Sequence, residues 1–435
     1  IKMPPSKVRG ALHYLNEPIG IMTDFTKNPP IKWKGGAGVG SASATNPYGV
    51  NNIWREYQYP YPGESEIHMM FRYGGSSCSV DAIGAEYAKM YLSPKIEFAV
   101  SCCNIMEPET LYMDLILPGT SSLERNDISE VGNTGRAANG MTQRMVVFQH
   151  QIVPPQGECK LEMEIFQELS NRLGFGDKFS DGNTEEGWLR KMFNLSSIAT
   201  GDIARNNQSL TYEQFKEKGY YVYELPKDFD VNNAENSGPI GLRWYYDKPQ
   251  GDGLQTPSGK IEFYSQTLVD KYGENSTAIG EVPKYFVDPD GKQSPLAAKY
   301  PLSVVTPHPK FRVHQQMDNL SWLRDLYKYK GYEPCWIAPA DAQSRGIVEK
   351  DIIRIWNDYH LAGILCYAHI THRVMPGVIK VEEGSWFKPL EPGNPDSTDT
   401  GGAIDVLASN IPMSDHAYTC RYNSMLVQVE KWKGA

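Results

Sequence analysis

The chain has 435 residues, 40% of them hydrophobic and 11% aromatic, with 39 Gly and 30 Pro, which fits two or three globular domains rich in turns. A net charge of −9 argues against a general nucleic-acid binder, and no apolar run is long enough for a membrane-spanning helix. The seven cysteines (78, 102, 103, 159, 335, 366 and 420) form no CxxC pair, so a disulfide scaffold or a cluster site held by this chain alone is not expected, and they read as small buried hydrophobes.

Residues 1–65 are dense in Pro, Gly and Asn and read as irregular; Gly35–Gly40 is read as a loop, since no clear strand precedes it. From there the texture is α/β. Glu66–Tyr73 is strand-like and ends in Gly74-Gly75, Val80–Met90 is helical in character, and Ile96–Ser101 and Asp114–Pro118 are further apolar runs. Strand, helix, strand at this spacing predicts a parallel sheet, with ligands gathered at the C-terminal strand ends. Gly74-Gly75 and Ser101-Cys102 occupy such ends.

Cys159–Gly174 is the clearest helix. Leu161, Ile165, Leu169 and Leu173 form one apolar stripe, read as core packing, with Gly174 closing the C-terminus. Residues 175–250 are polar and read as an insertion or a connection between domains.

Near residue 296 the texture changes to short strands: Ile352–Trp356, Leu361–Ala368 and Val378–Val381, with one short helix near Pro339–Arg345 that stops at Gly346. Many strands and one short helix predict a compact β-barrel. At its start, the strand-like Tyr300–Val305 runs into Thr306–Gln316, where His308, Lys310, Arg312 and His314 are or can be cationic. A strand end that delivers a basic, Pro-punctuated loop is a place to hold an anion; the alternative is a solvated basic loop. His360, His369 and His372 lie in strand-rich sequence without a helical pair, so no metal site is expected from them.

Six segments, in this order, resemble one family: Asp114–Asp127, Thr256–Tyr264, Thr306–Gln316, Met375–Phe387, Gly401–Leu407 and Val427–Trp432. Together they resemble the C-terminal half of the large subunit of molybdopterin oxidoreductases, the dimethyl sulfoxide reductase family. Within it, Tyr57–Gly63, Lys299–Leu302 and Thr306–Lys310 look most like the transhydroxylase branch, which acts on pyrogallol- and catechol-type rings.

The resemblance implies discontinuous α/β domains followed by a C-terminal six-stranded β-barrel of double-psi type. The expected division is an irregular segment 1–65 of a domain begun upstream, a cofactor-binding α/β domain 66–190, a connection 191–295 and a barrel 296–435. The implied cofactor is bis(molybdopterin guanine dinucleotide) carrying molybdenum or tungsten. The implied partners are the N-terminal portion of the same subunit, an iron–sulfur electron-transfer subunit and a phenolic substrate, with no nucleic acid. The metal ligand, any iron–sulfur cluster and the acid–base residues would lie upstream, so no catalytic or metal-binding residue is assigned here. Cellular location stays open, including export by an unseen twin-arginine signal.

Carried over residue by residue, Thr306 to Gln315 would wrap one dinucleotide. Backbone N–H groups near Thr306 and His308 would meet its edges, Pro307 and Pro309 would stiffen the loop, Lys310 would add charge, and His314 and Gln315 would donate to the pterin. Trp386 falls where the family has an aromatic near the cofactor, though core packing is its other reading. Asp405 stands where the family usually has Asn, and a carboxylate cannot donate. Asn423 matches another polar contact. In the α/β part, Ser101 would meet a guanosine, although Cys102 follows where the family usually has Asp. Glu162 would read guanine and Arg125 would add a basic contact, and all three could equally be surface or capping groups. The implied activity is hydroxyl transfer to, or reductive dehydroxylation of, a polyhydroxylated aromatic ring. The alternatives are a respiratory reductase of the same family and a non-catalytic binding or assembly module.

Overall fold

A computed structural model describes residues 67–73, 77–130, 145–200, 209–222, 256–275, 280–288, 290–409 and 421–434. The 1–65 segment with its Gly35–Gly40 loop, the Tyr57–Gly63 stretch and Cys420 lie outside the described residues. The chain divides into two compact units: Pro118–Ser265 belongs to one, and Tyr48–Leu117 with Gln266–Ala435 to the other.

In the second unit, β1 (Met69–Tyr73), β2 (Phe98–Cys103) and β3 (Leu115–Pro118, whose last residue begins the first unit) form a three-stranded sheet in that order. β1 and β2 are parallel, with Arg72 opposite Ser101, so the expected parallel α/β sheet is present. The helix expected over Val80–Met90 is two helices, Ser77–Val80 and Gly84–Tyr91. They break because Ile83 takes a left-handed φ of 53° and its N–H donates to the carbonyl of Ala408, 3.2 Å away. A Cβ on Gly84 would lie 2.3 Å from the Cys78 carbonyl oxygen, so the two helices can meet there only through glycine.

In the first unit, β4 (Asp127–Glu130), β5 (Met145–Gln149) and β6 (Tyr220–Val222) form an antiparallel sheet. The polar stretch after residue 175 supplies helices rather than bare connection: Glu185–Asn194, capped by Thr184, and Tyr212–Lys218, which opens with a Thr211/Gln214 capping box. Leu189, Phe193, Tyr212 and Phe215 from these helices pack with Val146 and Phe148 of β5 in one core. Phe193 and Phe215 stack at 5.3 Å between ring centroids. The expected long helix is Glu162–Arg172, but its stripe is not core. Leu169 and Leu173 are 39% and 62% exposed, and Ser170 is the buried residue of the helix. The core of this unit closes on the capped helices and leaves the stripe outside.

The C-terminal strands close a barrel in the order β10-β8-β11-β7-β12-β9. They are β7 (Leu302–Val305), β8 (Glu333–Ile337), β9 (Ile352–Asn357), β10 (His360–Ile370), β11 (Val378–Lys380) and β12 (Leu426–Lys431). Pairing is mixed: β7 with β11 and β8 with β10 are parallel, the other neighbours antiparallel. The expected six-stranded barrel is therefore present. In β9, Ile353, Ile355 and Asn357 are buried and alternate with more open neighbours, the period-two signature of one face turned inward. Leu302, Val304, Ile337, Ile364 and Ile379 fill the same core, which continues into Cys78, Ala85 and Ala88 of the two short helices and Ala82 between them. Those helices thereby sit against the loops of the barrel: the N–H of Phe387 donates to Ser79 Oγ at 3.2 Å. Cys78, Cys102, Cys335 and Cys366 are buried free thiols, the small hydrophobes they were read to be. No helix among the described residues is long and apolar enough to cross a membrane.

Candidate functional site

The Thr306–Gln316 loop leaves the end of β7 and is held by Arg312. The Arg312 guanidinium, 0% exposed, lies 3.1 Å from Glu333 and donates to the carbonyl oxygens of Glu382 and Glu383 and to the Tyr327 hydroxyl. Tyr327 in turn donates to Asp318, and Lys328 bridges Asp318, Glu333 and Ser385. Two buried cations and two buried carboxylates thus neutralise one another beneath the loop. Burial alone would weaken the Arg312 charge, but Glu333, Tyr327 and Asp318 outweigh it and hold its pKa above the ordinary value. This corrects the reading of Arg312 as an anion-binding cation. It is an internal anchor, because a charge with so many internal partners has nothing left for a ligand.

The upper half of the loop is tied to the segment 381–387. Trp386 donates its indole N–H to the Gln315 carbonyl at 2.8 Å and its backbone N–H to Asp318 at 3.0 Å. A Cβ on Gly384, whose φ is +78°, would lie 2.2 Å from the His314 carbonyl oxygen, so loop and segment pass in backbone contact. His308 and His314 both present Nδ1 to Glu383 Oε1, at 3.0 and 3.2 Å, with their rings edge to face. The ligand atoms of these three groups lie within 4.8 Å of one another, with one hydrogen bond, from His308 to Glu383, and one close His314–Glu383 contact among them. His360, His369 and His372 do not gather: His360 meets the Ser397 carbonyl and His369 pairs with Glu349. Both loop histidines line the cavity, and with His308 Nδ1 engaged by Glu383, its other ring nitrogen is an acceptor in the neutral ring and a donor in the imidazolium.

These elements enclose a cavity of about 460 Å³ lined by Val80, Asp81, Thr306, His308, His314, Glu383, Asp405, Tyr422 and Asn423. That volume lies in the range of roughly 300–1,000 Å³ typical of small-molecule sites. Three buried polar atoms in this region have no hydrogen-bond partner among the described residues: Thr306 Oγ1, Gln315 Oε1 and Asp405 Oδ1. Buried polar atoms are rarely left so, and the residues that carry two of these line the cavity. A ligand rich in donors and acceptors is what such a lining fits.

The sequence-based assignments divide accordingly. Thr306, His308, His314, Asp405 and Asn423 line the cavity. Gln315 and Trp386 brace it, with Gln315 5% exposed and Trp386 half-buried. The Thr306 N–H, expected to meet a ligand, donates instead to Asn423 Oδ1 at 2.9 Å, which ties the loop to residue 423 and leaves the Asn423 amide N–H groups free of that bond. Pro307, Pro309 and Lys310 are not among the lining residues, and the Lys310 ammonium lies over the Phe311 ring at 5.2 Å. Ser101 is fully buried within β2 and its hydroxyl accepts from Arg72 at 3.3 Å. Arg125 and Glu162 pair with each other at 2.9 Å. Asp81, Glu383 and Tyr422 are cavity residues the sequence reading did not name. Glu383 lay inside the Met375–Phe387 motif, but two adjacent glutamates gave no sign of which one turns inward.

A barrel loop that walls a polar cavity, braced from beneath by buried charge, defines a small-molecule binding domain. Residues 302–426 match the family described as "Molydopterin dinucleotide binding domain", and residues 62–172 match "Molybdopterin oxidoreductase". The two matches together take in more than half of the chain, which belongs to the molybdopterin oxidoreductase family.

The chain is 31% identical over 421 residues to the pyrogallol hydroxytransferase large subunit of Pelobacter acidigallici, covering 88% of this chain and 45% of that protein. It is 34% identical over 324 residues to dimethyl sulfoxide/trimethylamine N-oxide reductase of Cereibacter sphaeroides, covering 74% of this chain and 36% of the relative. It thus spans less than half the length of these relatives. Among solved structures, acetylene hydratase from Pelobacter acetylenicus superposes with a TM-score of 0.57 at 20% identity, over 89% of this chain and 46% of that one, a likeness of fold.

Proposed function

We propose that this chain is the cofactor-binding portion of a molybdenum or tungsten enzyme that carries bis(molybdopterin guanine dinucleotide). Its reaction is hydroxyl transfer to, or reductive dehydroxylation of, a polyhydroxylated aromatic ring. The observation that carries the cofactor reading is the cavity with its orphaned atoms, Thr306 Oγ1 and Asp405 Oδ1, beside the loop that the family match covers. When bound, such a cofactor supplies the redox-active metal at which oxygen is gained or lost. The chain's own residues hold and orient it: Asn423 and Thr306 present polar atoms, His308 and His314 present their imidazole rings, and Arg312 and Trp386 keep the loop in place. The pyrogallol hydroxytransferase relative supports the phenolic substrate, and its "large subunit" name supports a smaller partner, which we take to carry iron–sulfur clusters. The higher identity to a sulfoxide and N-oxide reductase favours a second reading, a respiratory reductase.

Metal analysis and guanine-nucleotide extraction of the purified protein test the first step. Absence of molybdenum, tungsten and guanine nucleotide sinks it. Turnover of pyrogallol or catechol, set against that of sulfoxides and N-oxides, separates the two reactions. His314→Ala is expected to lower retained guanine nucleotide, whereas Lys310→Ala, outside the cavity lining, should leave it within about twofold, less than one hydrogen bond's worth.

A further inference from the structure

The cavity holds more carboxylate than a site for an anionic dinucleotide calls for: Asp81, Glu383 and Asp405 all line it. Asp405 is the most enclosed, 2% exposed in the 3-10 turn Ile404–Leu407, all of whose residues are buried. A carboxylate so placed keeps its charge only if donors or cations satisfy its oxygens.

Asp399, on the same stretch of chain, shows how strongly burial weighs: even with four backbone donors its pKa is held above the ordinary carboxylate value. It is fully buried, and its oxygens accept from the backbone N–H groups of Lys388, Gly401, Gly402 and Ala403 at 2.6, 3.1, 2.8 and 2.8 Å. Asp405 has no such cage. The Gly384 N–H is its backbone donor, and Oδ1 has no partner among the described residues.

The charges around Asp405 point the same way. Glu383 and Asp81 oppose a further negative charge; Arg312 favours one but is already paired with Glu333. Of the elements packed on this turn, helix Ser77–Val80 is followed by Asp81 and contributes the buried thiol Cys78. Helix Gly84–Tyr91 has its Glu86–Lys89 pair at the surface, and β10 contributes the buried thiol Cys366. Lys89 is held by Glu86 and Asp396, and His360 of β10 donates to the Ser397 carbonyl, so none of these groups brings an unpaired cation to Asp405.

We propose that Asp405 faces the cavity as a neutral carboxylic acid and donates its O–H to an acceptor, a ring nitrogen or carbonyl, on the heterocycle of the bound dinucleotide. The inference rests on the cofactor reading above. A proton turns an acceptor-only group into a donor beside an acceptor, the capacity of a carboxamide. It also removes one of three like charges from a site that must receive phosphate. Burial first, and then Glu383 and Asp81, push the Asp405 pKa well above the ordinary carboxylate value. Protonation is therefore favoured beyond that of an ordinary carboxylate, and the donor is lost as pH rises through that raised pKa.

The test compares the wild-type protein with Asp405→Asn and Asp405→Ala by two readouts. One is guanine nucleotide retained per chain across a pH series. The other is the protonated-carboxyl C=O stretch in the infrared difference spectrum of wild type minus Asp405→Asn, which needs no cofactor. The wild type should show that band at neutral pH and shed nucleotide as pH rises. Asp405→Asn should retain nucleotide without that alkaline loss, and Asp405→Ala should lose about tenfold, the value of one good hydrogen bond. An absent band, or Asn behaving as Ala does, overturns the inference. A wild type with the band but with no guanine nucleotide at any pH overturns the cofactor reading and, with it, the role given to the proton.

Discussion

Arg312 and Gly384 hold the loop in different ways. Arg312 puts charge beneath it, with partners at Glu333 and at the carbonyls of Glu382 and Glu383. Arg312→Met leaves Glu333 buried with Lys328 as its remaining cation, and a half-broken buried pair costs about 3–5 kcal/mol. Arg312→Met combined with Glu333→Leu removes both charges and should recover part of that stability. It should not recover cofactor, because the carbonyls that position the segment 382–383 stay unheld. Urea unfolding and guanine-nucleotide content, measured on the single and double variants, check this; if both quantities recover together, the loop does not need Arg312 as an anchor. Gly384 acts by having no side chain. Gly384→Ala forces a Cβ to 2.2 Å from the His314 carbonyl at a φ of +78°, and should cost at least about 2 kcal/mol in strain and displaced backbone. A stability within 0.5 kcal/mol of wild type, by the surface-substitution standard, would refute that close approach. Asp405 shows why protonation cannot be read from a sequence. The letter D suggested an acceptor, and only its burial and missing N–H cage say otherwise.

At the scale of elements, β7, β9, β10 and β11 were legible because short apolar runs stand between turn signals such as Asn357-Asp358 and Pro376-Gly377. β8 was not: Glu333–Ile337 opens with a buried acid whose charge is matched by Arg312 and Lys328, a pairing invisible in a linear reading. The long helix shows the reverse error. Its stripe had helical spacing, and spacing says which face is apolar but not whether anything covers it; here Leu169 and Leu173 stay exposed. The capped helices at 185–194 and 212–218 were hidden by their polar surroundings, although Thr184, Thr211 and Gln214 carried the start signals. The binding loop was legible as a loop but misread in charge, since which cations face a ligand depends on partners far along the chain. Trp386 illustrates the same dependence. Trp386→Phe keeps the ring but removes the N–H that holds the Gln315 carbonyl, at a cost of about 1 kcal/mol. The expected result is a small drop in unfolding midpoint with a clear loss of retained nucleotide. If nucleotide is unchanged while the midpoint falls, the indole serves packing alone.

For the whole molecule, the buried ionisable groups set opposite limits on stability. Asp405 has a raised pKa, so its contribution is present at low pH and is lost as pH rises through that value. His360 sets the acid limit. It is 4% exposed, its Nε2–H donates to the Ser397 carbonyl at 3.2 Å, and its ring meets Phe387 edge to face. Burial first lowers its pKa below the ordinary 6.5, with Asp399 and the Ser397 carbonyl opposing the shift. The folded state therefore holds a neutral ring where the unfolded chain would bind a proton. Between the lowered folded pKa and 6.5 the unfolded state carries more protons, so stability falls as pH falls through this window and is full above it. Chemical unfolding at pH values of about 7.5 and about 5.5 should show wild type losing stability on the acid side. His360→Gln, which does not titrate, should lose less between the same two points even if it starts lower. An equal acid loss in wild type and variant would mean that His360 is not the group whose protonation opens the barrel, and that the acid limit lies with other groups.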